Sequence, residues 1–248
     1  ADISDSEGSG TKMNFTGQHR CIMNNQLDIS KLIGLIGCSS GKYFNIDNSV
    51  ESKISESLPI ITVASTENDK KVFGVICEQE DTNDKRKDGG NFVSLYKKTN
   101  KNEQRVFMNS LGEGSVWVCN KTGSLENGDY ISSSSVPGYG MKQTVNEGVL
   151  TNYTVAKITC DCNFSITKQI KQKIKLKSTT EIDYDSSGNV QYENDLDSDG
   201  NTQLIYEYQT RFLTSDGTEL TESDYTTKLA NNESVYIACF VGCTYHCG

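Results

Sequence analysis

The sequence predicts an all-β protein, a compact barrel or sandwich of short strands that carries a β-hairpin-rich insertion. Three observations lead there. The composition disfavours helices: 21 Gly, 12 Tyr and abundant Ser, Thr and Asn stand against five Ala, a mixture suited to pleated strands and polar turns. Apolar residues come in short β-branched or aromatic runs punctuated by Gly, Asn and Asp. Past residue 164 the apolar spacing becomes two, the period of a strand with two unlike faces. With 248 residues, 35% of them hydrophobic, the chain can bury a core in one or two domains.

Residues 1–13 are rich in Ser, Gly and Asp and read as a linker. The chain opens on Ala1 without Met, so it is expected to be the cut end of a longer precursor or the start of an expressed piece. Residues 14–164 form the expected core domain. Its strand candidates are 32–36, 60–63, 72–76, 92–96, 105–108, 115–118, 130–131 and 153–158, spaced as in a small barrel or sandwich. Asn127-Gly128-Asp129 predicts a type I′ hairpin turn, and Val136-Pro137-Gly138-Tyr139 a type II turn. Residues 165–234 form the expected insertion. It opens with Ile166, Ile170, Ile174 and Leu176 on even positions and Lys171, Lys173, Lys175 and Lys177 on odd ones. This predicts one long strand with a lysine face, either a solvated edge or a docking face for an acidic partner. Three related turns follow, at Asp185-Ser186-Ser187-Gly188-Asn189, Asp197-Ser198-Asp199-Gly200-Asn201 and Ser215-Asp216-Gly217-Thr218. Residues 235–248 then return to the core as a terminal strand with a Cys-rich tail.

Charge and patterning exclude several functions. The 33 acidic residues outnumber the 24 basic ones, a net charge of −9, which argues against nucleic-acid binding. No apolar run approaches the roughly 18 residues of a spanning helix, so no membrane segment is expected. The nine Cys are odd in number, so at least one thiol stays free or pairs between chains. Asn14, Asn120, Asn152, Asn163 and Asn232 open glycosylation sequons, as a secreted glycoprotein would have and as an Asn- and Ser-rich chain produces by chance. There is no phosphate-binding glycine loop of either common type. Only His19 and His246 are available to a histidine-dependent hydrolase, and neither has a nucleophile-elbow or papain-like context.

Three constellations remain. Asp195, Asp197, Asp199 and Asn201 alternate in a Gly-containing loop, the spacing by which one loop surrounds calcium with oxygens. The twelfth position is Tyr206 rather than Glu, with Glu207 one late, so a plain Asp-rich hairpin turn is the competing reading. Cys239, Cys243, His246 and Cys247 offer soft ligands for zinc but lack paired Cys knuckles, and ordinary core cysteines compete. Cys160 and Cys162 share a strand face, and Cys38, Cys77 and Cys119 sit at strand ends. Glu113, between Gly112 and Gly114, is either a catalytic carboxylate or a solvated acid in a tight turn.

Several blocks are more specific than composition: residues 112–120, 125–143 and 152–158, with 15–20, 72–83 and 240–248. Together they resemble the C-terminal domains of fibre or appendage proteins of giant DNA viruses. Those domains are similar in turn to the self-cleaving intramolecular chaperone of phage neck appendages. The resemblance covers roughly residues 14–165 and 235–248. It implies a β-rich viral structural module at the virion surface that trimerises, registers the parent chains while they fold, and meets other virion or capsid proteins. It also implies, as an alternative, a single-turnover self-cleaving peptidase; the residues of this chain offer the Ser4-Asp5 bond as the target and Asp2, Asp5, Glu7 or Glu113 as candidate acids. The family's acidic-aromatic stretch is Phe15-Thr16-Gly17-Gln18-His19-Arg20 here, with no acid at a matching position. A calcium-dependent adhesin built on the Tyr-rich hairpins is the third reading. No other cofactor is expected.

Overall fold

The computed structural model describes residues 3–4, 10–11, 17–23, 27–45, 50–51, 57–79 and 104–247. Half of it is strand and 8% helix, so the class is all-β. In chain order the elements begin with β1 (Ile3–Ser4), β2 (Gly10–Thr11) and β3 (Gln18–Met23). There follow α1 (Ile29–Leu32), β4 (Ile36–Asn45), β5 (Ser57–Val63), β6 (Val72–Gln79), β7 (Arg105–Asn109) and β8 (Leu111–Cys119). Then come β9 (Tyr130–Ser133), β10 (Gly140–Lys142), β11 (Thr154–Ile158), β12 (Lys168–Ile170), β13 (Gln172–Ile174), β14 (Tyr192–Asn194) and β15 (Leu204–Tyr206). The last are β16 (Gln209–Thr214), β17 (Glu219–Leu220), α2 (Glu222–Ala230) and β18 (Val235–His246). The strand expected at 92–96 lies outside the described residues.

The chain divides into two compact units, Ala1–Asn163 with Arg211–Gly248, and Phe164–Thr210. In the first, β3, β5, β4, β6 and β7 close a five-stranded barrel. Period two supplies its core: Cys21 and Met23 of β3 and Val106 and Met108 of β7 point inward onto Ile61 and Ile76. α1 adds Ile29 to that core. Asp28 starts this helical turn, its Oδ1 accepting from the Ser30 backbone N–H at 3.2 Å, and Gly34 at φ 84° ends it. The strand expected at 32–36 is therefore corrected: only Ile36 belongs to a strand. A Cβ on Gly34 would stand 2.4 Å from Phe240 and 2.7 Å from Trp117, so the turn needs glycine for space as well as for φ.

β1 pairs only with β2; a seven-stranded sheet orders as β11, β9, β10, β8, β18, β16, β17, and a further pairing of β11 with β18 brings it back on itself. β18 is its spine, matched to β8 over nine consecutive residue pairs from Ala238–Cys119 to His246–Leu111. Trp117, Cys119, Val136, Tyr139, Leu213 and Ala238 pack with Leu35 on this sheet. The turn at Pro137 is type II, with the Tyr139 N–H on Val136 O at 3.1 Å and Gly138 at φ 83°. At 127–129 the expectation fails. Only Gly128 takes a positive φ, and the Asp129 N–H bonds Glu126 O at 2.9 Å, which fits type II and excludes type I′.

The hairpin unit ends at Thr210 rather than at residue 234. Residues 211–234 belong with the first unit because Phe212 and Leu213 are buried and the ring of Tyr225 on α2 stacks 4.9 Å from that of Phe212. Thr221 caps α2, accepting from the Asp224 N–H at 3.1 Å. In the second unit the expected long strand is split into β12 and β13. β12 pairs with β15 and β13 with β14, each over three residues.

Candidate functional site

Glu113 lies on β8 opposite Thr244 of β18, in an uninterrupted ladder with its side chain exposed. It occupies a regular strand, not the tight turn its flanking glycines suggested. Ser4 pairs with Gly10 in the β1–β2 hairpin. Asp2, Asp5 and Glu7 lie outside the described residues.

The C-terminal thiols follow the pleat of β18. Cys239, Cys243 and Cys247 are buried, while His246 faces the opposite side. There its ring lies edge-on to Tyr130 at 6.1 Å, with Nε2 3.1 Å from Thr244 Oγ1. Period two thus separates the imidazole from the thiols, and the four do not converge. No disulfide joins any of the nine cysteines. Burial pushes Cys21, Cys38, Cys243 and Cys247 up to about 12, so they are neutral at pH 7 and are poor nucleophiles. Asn120 is occupied structurally, its Oδ1 accepting from the Ile237 N–H at 3.0 Å.

A cleft of about 180 Å³ opens between His19, Val72, Phe73, Ser110, Leu111 and Cys247. Its polar groups serve the fold: the Ser110 hydroxyl donates to Gly17 O at 2.9 Å, and His19 packs edge-on to Phe73 at 5.7 Å. It is smaller than the roughly 300 Å³ at which ligand pockets begin.

A better-built constellation surrounds Arg211. Its guanidinium sits 4.1 Å from the centre of the Trp117 ring. Nη1 donates to Tyr139 Oη at 3.1 Å and to Lys31 O at 3.3 Å, and Nε pairs with Glu219 at 3.1 Å. The Trp117 indole N–H donates to Ile33 O at 3.2 Å. These contacts rivet α1, β8, β16, β17 and the Pro137 turn together.

In the hairpin unit, Asp195 accepts from Lys171 at 2.7 Å, and that ammonium holds its carboxyl below the ordinary range. Asp197 Oδ1 accepts from the backbone N–H groups of Asp199 and Asn201 at 2.9 and 2.8 Å. The Asp185 loop repeats this, accepting from Ser187 and Asn189 at 2.8 and 2.9 Å. The turn acids thus close Asx turns, and among the described residues no three or more His, Cys, Asp or Glu side chains gather to hold a metal.

The sequence reading missed a twelve-residue repeat in which residues 183–194 and 195–206 share Asp, Asp, Ser, Gly, Asn and Gln at equivalent places. Each copy builds a three-way junction. The N–H of Lys171 bonds Gln203 O, that of Asp195 bonds Lys171 O, and that of Gln203 bonds Asp195 O, at 2.8–3.0 Å. Lys175, Asp183 and Gln191 repeat the triangle at 2.9 Å throughout. The lysine reaches the aspartate in both, at 2.7 Å for Lys171–Asp195 and 3.0 Å for Lys175–Asp183. These junctions are why the long strand splits: at each lysine the ladder changes partner. The spacing of Asp and Gln around each turn is the signal that could have found them. No family model, curated protein or solved structure matches the chain.

Proposed function

We propose that the chain is a structural module of a viral fibre, appendage or capsid-associated protein, exposed on the virion, that trimerises and assists folding of its parent chain. What supports this reading is where the resembling blocks lie. Residues 112–120, 125–143, 152–158 and 240–248 contribute β8, β9, β10, β11 and β18, all members of one sheet. Blocks far apart in sequence share one scaffold, and the polar groups described there serve packing. Three long chains pair slowly because their contacts are non-local, and a trimeric module raises their effective concentration. Sedimentation equilibrium at micromolar concentration is the test: a trimer is expected, and a folded monomer overturns the reading. A precursor extended upstream of Ala1 is expected to keep its full mass. Splitting near Ser4 would instead assign it the self-cleaving role.

A further inference from the structure

In the barrel wall one thiol meets a side-chain carboxamide. β7 runs between β3 and β6, with Gln18 of β3 opposite Asn109 of β7. By alternation both point away from the core that Cys21 and Met108 line. On β6 the ladder to β7 advances from Ile76 to Glu78 while β7 moves only from Met108 to Phe107. Cys77 is thus the extra residue of a bulge, and a bulge re-aims the side chain it carries. Gln18 Nε2 donates to the Cys77 sulfur at 3.4 Å, from 59 positions away in sequence. The carboxamide carbon is one C–N bond from that nitrogen, so it lies within about 5 Å of the sulfur. The broad terminal torsion of Gln18 can close the rest of the approach. Of the nine cysteines only Cys77 and Cys160 escape full burial. Burial pushes the Cys77 thiol up, and the Gln18 and Asn109 carboxamides oppose it. Asn109 Oδ1, beside the pair, is buried and has no hydrogen-bond partner.

We propose that Cys77 and Gln18 form an internal thioester, an electrophile through which this chain bonds covalently to a primary amine on a partner. This goes beyond the trimer reading and does not depend on it. In the forming step the Cys77 sulfur bonds to Gln18 Cδ and the Cδ–Nε2 bond breaks. The nitrogen leaves as ammonia and takes the thiol proton with it. Asn109 Oδ1 is the acceptor available to the N–H groups of that leaving nitrogen. In the second step the amine nitrogen bonds to Cδ, the C–S bond breaks, and a proton passes from the amine to sulfur. The products are a substituted amide at position 18 and a restored Cys77 thiol. Nothing is oxidised or reduced in either step. Cysteine is intrinsically the strongest of the side-chain nucleophiles, and fixing it against the carboxamide turns a bimolecular encounter into an internal one. Half-burial of both residues shields the bond from bulk water without sealing it off.

The test is the intact mass of the freshly purified full chain. A mass below that of the sequence by one ammonia is expected, with one thiol fewer than the nine titrating after denaturation. Methylamine is then expected to add once, at position 18, and to restore the missing thiol. Cys77→Ala and Gln18→Ala are expected to show the full mass of their sequences and to take up no methylamine. Cys160→Ala, which removes the other thiol that is not fully buried, is expected to lose ammonia as the parent does. A parent of full sequence mass with all nine thiols titrating overturns the proposal. Ammonia loss that persists in Cys77→Ala overturns it too, because the loss then comes from another amide. Should either variant misfold, proteolysis of the unmodified chain decides. Two peptides joined through residues 18 and 77 are expected; separate peptides with Gln18 unchanged overturn the proposal.

Discussion

Arg211→Ala tests whether the cation between Trp117 and Tyr139 holds the first unit together. The side chain is one-fifth exposed, so its contacts are largely shielded from water. The guanidinium 4.1 Å from the indole centre is worth about 1–2 kcal/mol at such a site. The bond to Tyr139 Oη adds about 1 kcal/mol, because Tyr139 is buried and its removal leaves that hydroxyl short of a partner. Glu219 is 60% exposed, so its ion pair contributes at most about 0.5 kcal/mol. Arg211→Ala is therefore expected to cost about 2–4 kcal/mol. Arg211→Lys, which keeps the charge but loses the planar fork, is expected to cost roughly half of that. Urea unfolding followed by Trp117 fluorescence reads both. An alanine variant within about 0.5 kcal/mol of the parent would refute the assignment of these contacts as a rivet.

Three further outcomes are expected. Gly138→Ala should destabilise by about 2 kcal/mol or more, because its φ is 83° and a Cβ would stand 2.9 Å from Leu35; an unchanged urea midpoint would refute this. Alkali should weaken the fold. Cys21, Cys38, Cys243 and Cys247 keep their protons up to about 12 when folded against 9.0 ordinarily, so their stabilisation is complete below pH 9 and is lost as pH rises toward 12. A melting temperature that is flat from pH 8 to 11 would refute it. Acid should act on the hairpins. Asp185, Asp195 and Asp197 titrate below 3.8 when folded, held down by their backbone donors and, for Asp195, first by Lys171. The stability they supply is present above the ordinary carboxylate range and is lost as pH falls through their lowered values. Far-UV circular dichroism is expected to change there before Trp117 emission; the reverse order would count against the junctions.

The strand runs at 60–63, 72–76, 105–108 and 115–118 were legible because each is a β-branched or aromatic stretch that the pleat buries on one side. Residues 32–36 look the same by composition, yet Asp28 and Gly34 turn them into a helical turn and a bend. α2 was missed although Thr221, Glu222 and Asp224 write a capped helix start, because the preceding Ser215-Asp216-Gly217 turn imitates the hairpin unit. Its backbone bonds are the same in kind, with the Gly217 N–H on Thr214 O as Gly188 bonds Asp185 O. For the candidate sites, spacing located the residues but not their partners. Alternation along β18 sends His246 away from the thiols, and the lysine opposite Asp195 comes from 24 positions upstream. Neither the exposure of the hairpin unit, in which no residue from 165 to 210 is buried, nor its junctions follow from period two alone, since alternation marks two faces without saying which one is covered.

The two units obey opposite burial rules, and this bears on the order in which the chain folds. The first unit depends on β18, which must find β8, more than a hundred residues earlier, before its sheet is complete. Such pairing is slow. The turns of the second unit at Asp185 and Asp197 are local and such turns close in microseconds, whereas its ladders join strands with 17 residues between β13 and β14 and 33 between β12 and β15. They bury nothing on their own, so their persistence depends on a cover arriving.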